Sequence, residues 1–259
     1  MKEIIVAENS GFCFGVKQAM EKTEAQISKM QTEPGCGRLY TWGPLIHNRT
    51  VTDALAAQGV QIAECFEQIT AEDTVIVRSH GESKDFFAEA AARGIRIVDA
   101  TCPFVKKIHD LVKKAYEDGY QVVILGDAEH PEVRGINGWC EHTALVVHSA
   151  EEARRIKEDN LFVVCQTTIK KQLLDEVQEI FAADGKQMVI HNTICSATTL
   201  RQNSCMKLAE TCDCFIVIGG RNSSNTQNSL RLQKKDAKKY ILLKKSKIYR
   251  CTKSQNIIK

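Results

Sequence analysis

The hydrophobic positions of this sequence fall into short apolar runs that alternate with longer stretches of helical periodicity. Three such runs cover residues 4–7, 95–98 and 188–190. The helical stretches that follow them cover residues 16–30, 105–118 and 198–210. Short buried strands that alternate with helices are typical of parallel sheets flanked by helices. The pattern therefore predicts an α/β protein.

The same arrangement repeats three times along the chain. After each helix comes a second apolar run that ends in a glycine and a polar loop, at Gly43, Gly126 and Gly219. The first two units continue with another strand that has a polar end, whereas Lys-rich sequence occupies that place in the third unit. A repeat of this kind predicts three lobes around a pseudo-threefold axis, the third incomplete. We assign them to residues 14–101, residues 102–194, and residues 195–227 together with 1–13.

One cysteine lies between the strand and the helix of every repeat unit. These are Cys13, Cys102 and Cys195. A thiolate at a helix N-terminus is stabilised by free backbone amides, which suits it to bind a metal. Three converging thiolates fit an iron–sulfur cluster in which one iron has no protein ligand. The alternative is that they are ordinary free thiols, as we expect for the other eight cysteines.

Polar residues at the predicted strand ends supply further candidates. Loops at the C-terminal ends of parallel strands commonly bind ligands, so His47, His80 and His130 could hold a diphosphate. Glu132 could deliver protons. Thr167 and the loop of Ser223, Ser224 and Asn225 offer hydroxyls and amides that suit phosphate oxygens. The alternatives are surface histidines, a solvated glutamate at a helix start and simple N-caps.

Composition and charge exclude several classes of protein. The chain has 259 residues, of which 43% are hydrophobic and 26% are charged, as expected for a globular protein. Its apolar runs are too short to cross a bilayer, and an odd count of 11 cysteines without an export signal argues against a disulfide framework. We therefore expect a cytoplasmic protein that does not bind a membrane.

The formal net charge of +3 averages two unlike parts of the chain. Residues 228–259 hold nine Lys, two Arg and one Asp, with no Gly or Pro, while the preceding residues are acidic overall. A basic tail can bind nucleic acid, but aromatic residues are not interleaved with its basic ones in a binding pattern, so we expect no nucleic-acid partner. We expect this tail to be poorly packed, or at best a solvated helix, leaving the third sheet with an unpaired edge.

Several motifs in order identify a family. They are GFCFGV at 11–16, GPLIHN at 43–48, RSHG at 78–81, DATCP at 99–103, HPEV at 130–133, QTT at 166–168, TIC at 193–195 and NSSN at 222–225. Together they resemble the 4-hydroxy-3-methylbut-2-enyl diphosphate reductases of the non-mevalonate isoprenoid pathway. The resemblance extends from about Met1 to Gln227. The tail after Gln227 lacks the helix, strand and serine-bearing loop of the family.

The resemblance implies three lobes around one central [4Fe–4S] cluster held by Cys13, Cys102 and Cys195. It implies that a ferredoxin or flavodoxin supplies two electrons, and that the substrate's hydroxyl leaves as water to give isopentenyl or dimethylallyl diphosphate. It implies that Glu132 is the proton donor. It also implies a set of residues that bind the allylic diphosphate substrate: His47, His80, His130, Thr167, Ser223, Ser224 and Asn225. The alternative is a truncated, catalytically impaired relative that still binds a cluster or diphosphate.

Overall fold

The first lobe contains a four-stranded parallel sheet. The computed structural model describes residues 4–33, 35, 37–212, 214–220, 223–233 and 240–243. The first elements are α1 (Phe14–Thr32), β1 (Leu39–Trp42), α2 (Arg49–Ala56), β2 (Val60–Ala63), β3 (Thr74–Val77), α3 (Lys84–Ala92) and β4 (Arg96–Asp99). The strands are ordered β2-β1-β3-β4 and all pairs are parallel.

The second lobe repeats the first. Its elements are α4 (Pro103–Glu117), β5 (Gln121–Leu125), α5 (Pro131–Asn137), β6 (Leu145–Val147), α6 (Ala150–Ala153), β7 (Leu161–Cys165), α7 (Lys171–Ala183) and β8 (Met188–Ile190). The strands are ordered β6-β5-β7-β8, again all parallel. The two sheets therefore have the same connectivity, which confirms the α/β class and the internal repeat seen in the sequence.

The third lobe contains a smaller sheet. Its elements are α8 (Ser196–Thr211), β9 (Phe215–Ile218), α9 (Ser224–Gln233) and β10 (Tyr240–Leu243). Within the described residues this sheet has two strands, against four in each of the others. The part of the third sheet that the structure describes therefore has half as many strands as each of the other two sheets.

The expectation that the third sheet ends at an unpaired β9 is wrong. Strand β10 pairs with β9 in parallel, with Tyr240 opposite Phe215 and Leu243 opposite Ile218. Helix α9 also continues past Gln227, the position at which we expected the fold to end. The physical reason is that the apolar sequence of residues 240–243 suits a short strand despite the lysines around it. The rest of the predicted basic tail, residues 234–239 and 244–259, lies outside the described residues.

A strand predicted at residues 4–7 is not formed. These residues have no strand partner in the described part of the chain, and Ile4 and Val6 are 87% and 71% exposed. An apolar run becomes a strand only when a neighbouring strand accepts and donates its backbone hydrogen bonds. The other predicted strands occur where the sequence placed them.

The three lobes differ in how many faces of their sheets are covered by apolar residues. Apolar residues pack on both faces of the first two sheets, with Val123 and Val163 on one face of the second sheet and Ile124 and Val164 on the other. The third sheet has one small cluster, built on Phe215 and Val217. Its other face is exposed, because Ile216 and Ile218 are 47% and 58% accessible. No helix in the described ranges is long and apolar enough to span a membrane.

Candidate active site

Three cysteines begin three helices. Cys13, Cys102 and Cys195 are the N-cap residues of α1, α4 and α8, and none of their side chains makes a capping hydrogen bond. Serine or aspartate at an N-cap normally accepts a backbone N–H with its side chain. These thiols sit at the positive end of a helix and are left free to bind another group.

The environment of Cys102 fits a metal cluster. Burial raises the pKa of the Cys102 thiol, the nearby backbone amides of Phe104 and Val105 lower it, and negative charge on Cys13 and Cys195 raises it again. The sulfur of Cys102 is therefore close enough to both other cysteines to be repelled by their thiolates, and a bound cation would remove that repulsion. Three half-buried cysteines of this kind form a donor set that suits an iron–sulfur cluster.

Three histidines form a second group in the same region. His47 follows β1, His80 follows β3 and His130 caps α5. The ring centroids lie 4.9 Å apart for His47 and His80, 5.4 Å for His80 and His130, and 5.8 Å for His47 and His130. The predicted convergence of these three strand-end histidines is present in the fold.

The histidines are neutral in the protein as it stands. Burial lowers the pKa of all three, to about 4 for His130 and well below the ordinary value for His80. The positive charge of Arg78 lowers each of them further. Nε2 of His47 and Nδ1 of His80 are buried and have no hydrogen-bond partner among the described residues. Unpaired buried nitrogens are costly, which favours a ligand at this position.

The tautomer of His130 indicates whether the three histidines bind an anion or a cation. Its Nδ1 accepts a hydrogen bond from the backbone N–H of Glu132 at 3.2 Å. In a neutral imidazole the other nitrogen, Nε2, then carries the hydrogen and can only donate. Ring nitrogens of the three histidines lie within 4.8 Å of one another, a spacing also open to a metal ion. A donating Nε2 favours an anion over a cation.

Glu132 lies buried in the first turn of α5, and among the described residues its carboxylate is hydrogen-bonded by Thr167. Its Oε1 accepts from the backbone N–H of Thr167 at 2.6 Å, and its Oε2 is 2.7 Å from the Thr167 hydroxyl. Burial raises the pKa of Glu132, while the hydrogen bonds from Thr167 lower it by less. The carboxyl group therefore holds its proton to higher pH than an ordinary glutamate, as a proton donor requires.

Thr167 also connects Glu132 to the third cysteine. Its carbonyl accepts hydrogen bonds from the backbone N–H of Cys195 at 2.9 Å and from the hydroxyl of Thr198 at 3.1 Å. One residue at the end of β7 thus fixes both the carboxyl group and the start of α8. Thr198 was not among the predicted site residues. The one indication in the sequence was its hydroxyl group, three residues after the candidate ligand Cys195.

The loop before α9 provides hydroxyl and amide groups. Helix α9 begins at Ser224, and the hydroxyl of Ser223 accepts the N–H of Thr226 at 3.3 Å, so Ser223 acts as an N-cap. Asn225 lies in the first turn. The capping alternative is therefore correct for Ser223, and the same turn presents free backbone amides that suit an anion.

All eleven predicted site residues line one cavity of about 390 Å³. They are Cys13, His47, His80, Cys102, His130, Glu132, Thr167, Cys195, Ser223, Ser224 and Asn225. The cavity also has lining residues that the sequence did not single out, among them Asn9, Phe12, Phe104 and Arg201. The fold thus brings residues of three lobes to one centre.

Comparison with known proteins agrees with this arrangement. The sequence profile of one protein family, described as LytB protein, matches residues 4–257. The chain belongs to the LytB family. The match extends through the basic segment that sequence analysis considered unlike the family.

Two relatives of this LytB chain carry the same name. The 4-hydroxy-3-methylbut-2-enyl diphosphate reductase of Caldanaerobacter subterraneus subsp. tengcongensis is 41% identical over 239 residues, which are 91% of this chain and 82% of the relative. The enzyme of the same name from Clostridioides difficile is 39% identical over 232 residues, covering 88% and 81% of the two chains.

Solved structures share the LytB fold. A structure titled (E)-4-hydroxy-3-methyl-but-2-enyl diphosphate reductase, the terminal enzyme of the non-mevalonate pathway, matches with a TM-score of 0.70 and 36% identity, covering 93% of this chain and 85% of that one. The E-1-hydroxy-2-methyl-but-2-enyl-4-diphosphate reductase from Plasmodium falciparum matches with a TM-score of 0.80 and 26% identity, covering 90% and 73%.

The other cysteines that the structure describes do not line this cavity. Cys165 lies in β7, and burial raises the pKa of its thiol to about 12. Cys140 is buried against α4 and α5, with a raised pKa, and Cys65 is exposed on the first lobe. Cys36 and Cys251 lie outside the described residues.

Proposed function

We propose that this chain is a 4-hydroxy-3-methylbut-2-enyl diphosphate reductase of isoprenoid precursor biosynthesis. The observation that carries the proposal is the single cavity that joins three free helix-capping cysteines, three neutral histidines and one buried glutamate. Each group answers one need of the reaction: cluster ligation, anion binding and proton supply. The names of the LytB relatives support the same conclusion.

The reaction is a reductive dehydroxylation. The C–O bond of the allylic alcohol breaks, and two electrons and two protons are consumed. One proton leaves with the oxygen as water, and the other is added to the allylic carbon framework. Protonation at either end of that framework gives isopentenyl or dimethylallyl diphosphate.

Cys13, Cys102 and Cys195 are the residues that would hold one [4Fe–4S] cluster. When bound, such a cluster supplies electrons together with an iron that acts as a Lewis acid on the leaving hydroxyl. The cysteines' own contribution is to place that chemistry at the convergence of three helix N-termini, whose amides stabilise negative charge.

The diphosphate is bound by the histidines and by the start of α9. His130 offers its Nε2 hydrogen, and His47 and His80 offer buried nitrogens that lack a partner among the described residues. Ser223, Ser224 and Asn225 add hydroxyl, amide and backbone donors from the third lobe. Fixing the charged end of the substrate positions its hydroxyl for reaction, which is a large source of rate enhancement.

Glu132 and Thr167 deliver protons. Burial raises the pKa of Glu132, so its carboxyl group keeps a proton to higher pH than an ordinary glutamate, and the Thr167 hydroxyl is within 2.7 Å to accept or relay it. Because Thr167 also bonds to the backbone of Cys195, the proton donor is held at a fixed position relative to the third cysteine.

The electrons come from a reduced ferredoxin or flavodoxin in the cytoplasm.

The lobes that surround the site are residues 14–101, residues 102–194, and residues 195–227 with 1–13. The segment from 228 onward adds the end of α9 and strand β10 to the third lobe.

The test is anaerobic turnover by the reconstituted full chain. Protein with about four iron and four sulfide per chain, given the allylic diphosphate and reduced methyl viologen, is expected to form isopentenyl and dimethylallyl diphosphate. Serine substitutions at Cys13, Cys102 or Cys195 should each lose iron, whereas Cys65→Ser and Cys140→Ser should retain it. Iron binding that depends on Cys65 as much as on Cys13 would refute the ligand assignment.

A second candidate is an impaired relative that binds cluster and diphosphate without turnover. The observation that favours it is the exposed face of β9, where Ile216 and Ile218 face solvent beside the cavity. The same experiment separates the two: a brown protein that binds the diphosphate yet releases no product would establish the second candidate.

A further inference from the structure

The starts of the three cysteine-capped helices carry large apolar side chains that face solvent. Phe12, Phe14, Phe104 and Leu200 are 43%, 62%, 52% and 51% exposed. We call these four residues the apolar rim. Phe14 directly follows Cys13, so the rim begins at the candidate cluster ligands themselves. Grouped exposed aromatic residues are typical of surfaces that bind another molecule.

The apolar rim is continuous with the active-site cavity. Phe12 and Phe104 line that cavity together with the cysteines. The N-termini of α1 and α4 are packed closely, because Gly15 of α1 lies against the side chain of Cys102. The exposed rings of Phe14 and Phe104 therefore belong to neighbouring helix starts, each close in sequence to a candidate cluster ligand.

Basic residues accompany the rim. The first two turns of the three helices cover residues 13–20, 102–109 and 195–202. They contain four basic residues and no acidic residue: Lys17, Lys106, Lys107 and Arg201. Lys106 pairs with Asp99. Lys17 and Lys107 are exposed and have no ion pair with any described residue. The next acidic residues along α1 and α4 are Glu21 and Asp110. They directly follow these ranges, about one helical turn after Lys17 and Lys107.

We propose that the apolar rim, with Lys17 and Lys107, is the docking surface for a small acidic electron-carrier protein. This proposal rests on the proposed function, which consumes two electrons per substrate. Each docked carrier is oxidised by one electron, so two encounters would supply the two electrons that reduce one substrate molecule. An apolar centre with basic neighbours suits an acidic partner, because opposite charges steer the encounter and the apolar area holds it.

A second copy of this chain is a poorer occupant. A twofold contact through the rim would bring Lys17 and Lys107 of one copy towards the same lysines of the other. Like charges that face one another without counter-ions oppose association. Charge complementarity thus selects an acidic partner for this surface.

The experiment uses reconstituted full-length holoenzyme and an acidic flavodoxin, with an acidic ferredoxin in parallel. The double variant Lys17→Glu/Lys107→Glu and the variant Phe14→Ser alter the surface without touching the cavity residues. Lys29→Glu is the matched control, because Lys29 is an exposed lysine near the opposite end of α1. The dissociation constant of the carrier is measured by calorimetry at low and high salt, and turnover is measured with the carrier and with reduced methyl viologen.

The expected result is a dissociation constant about 10-fold or more weaker for both surface variants at low salt. The salt dependence should be smaller for the double lysine variant than for wild type, since fewer charges are screened. Turnover with methyl viologen should stay within about twofold of wild type, and Lys29→Glu should match wild type throughout.

Two outcomes would overturn the proposal. One is carrier affinity in the double variant equal to that of Lys29→Glu. The other is a wild-type dimer in sedimentation that Phe14→Ser dissociates, which would assign the rim to a second copy. Absence of turnover with methyl viologen in wild type would instead refute the proposed function, and the affinity comparison would still decide the docking surface.

Discussion

Gly15 in the first turn of α1 lies directly against the side chain of Cys102 at the start of α4. A Cβ atom at position 15 would be 2.5 Å from the Cys102 Sγ and 3.0 Å from its Cβ. The backbone at position 15 does not require glycine, because its φ angle is not positive. A side chain at position 15 would therefore collide with the Cys102 thiol.

Replacing Gly15 by alanine should separate folding from cluster binding. Alanine favours a helix over glycine by about 1 kcal/mol, so the variant should fold. Its methyl group must displace the Cys102 sulfur, and we expect iron content to fall to less than about half of the wild-type four per chain. Iron analysis and far-ultraviolet circular dichroism are the measurements. Full iron content in Gly15→Ala would show that Cys102 can move without loss of the cluster.

Glu132→Gln should lose turnover while binding is preserved. The amide can keep both contacts to Thr167, accepting from its N–H and donating to its hydroxyl. It cannot release a proton, so we expect turnover to fall by about 10²–10⁴-fold with iron content and KM nearly unchanged. Steady-state kinetics with methyl viologen provide the readout. Near-normal turnover would remove Glu132 from the mechanism.

The same substitution should change how stability depends on pH. Burial raises the pKa of Glu132 in the folded chain, so the folded state holds a proton that the unfolded state releases. The free energy of unfolding therefore falls as pH rises from the ordinary glutamate pKa through the raised one. Glu132→Gln removes this dependence, and its melting temperature relative to wild type should rise with pH. A difference that is constant from pH 4 to pH 9 would contradict the burial argument.

His109 should make the protein sensitive to acid. It is buried against Trp139, with ring centroids 5.2 Å apart, and burial lowers its pKa to about 4. Asp99 opposes this shift and Lys106 reinforces it. The folded state stays neutral while the unfolded state is protonated, so stability is lost as pH falls from about 6.5 to about 4, by roughly 3 kcal/mol.

Denaturant unfolding of wild type and His109→Asn at pH 7 and pH 4.5 measures this effect. The variant should have lower stability at pH 7 because of lost packing, but a smaller loss on acidification. His130 shares the lowered pKa and contributes to the loss in both proteins. An equal loss of unfolding free energy between pH 7 and pH 4.5 in the two proteins would exclude His109 as a cause of the acid sensitivity.

Diphosphate affinity should increase towards lower pH. Burial lowers the pKa of His47 and His80, each of which has an unpaired buried ring nitrogen, and a bound polyanion favours their protonated forms. Binding should therefore take up protons. Calorimetry of inorganic diphosphate in two buffers of different ionisation enthalpy at pH 7 tests this. Zero proton uptake would indicate that all three histidines bind as neutral donors.

Much of the site could be predicted because each candidate sits at a position defined by local sequence. A cysteine between a strand and a helix, as at Cys102, becomes an N-cap wherever the helix starts. The repeat then required Cys13 and Cys195 to be equivalent. In a parallel sheet the strand ends gather at one edge, so His47 and His80 had to be neighbours once β1 and β3 paired.

The pairing of β10 with β9 could not be predicted in this way. The sequence of residues 240–243 is a short apolar run between lysines, and its charge pattern suggested a solvated segment. Conversely, residues 4–7 have a good strand pattern and form no strand. Whether such a run becomes a strand depends on which sheet edge is free, and that is a property of the folded lobe.

The α/β class, the repeat and the identity of the residues that meet in the cavity can be predicted from sequence, because these depend on periodicity and on local start and stop signals. The pKa shifts and hydrogen-bond partners of those residues follow from the folded chain. Burial raises the pKa of Glu132, and Thr167 donates both of the hydrogen bonds that the described residues make to its carboxylate. His130 donates from Nε2 because Glu132 occupies its Nδ1. Desolvation and hydrogen-bond direction arise from contacts between residues distant in sequence, which no local pattern encodes.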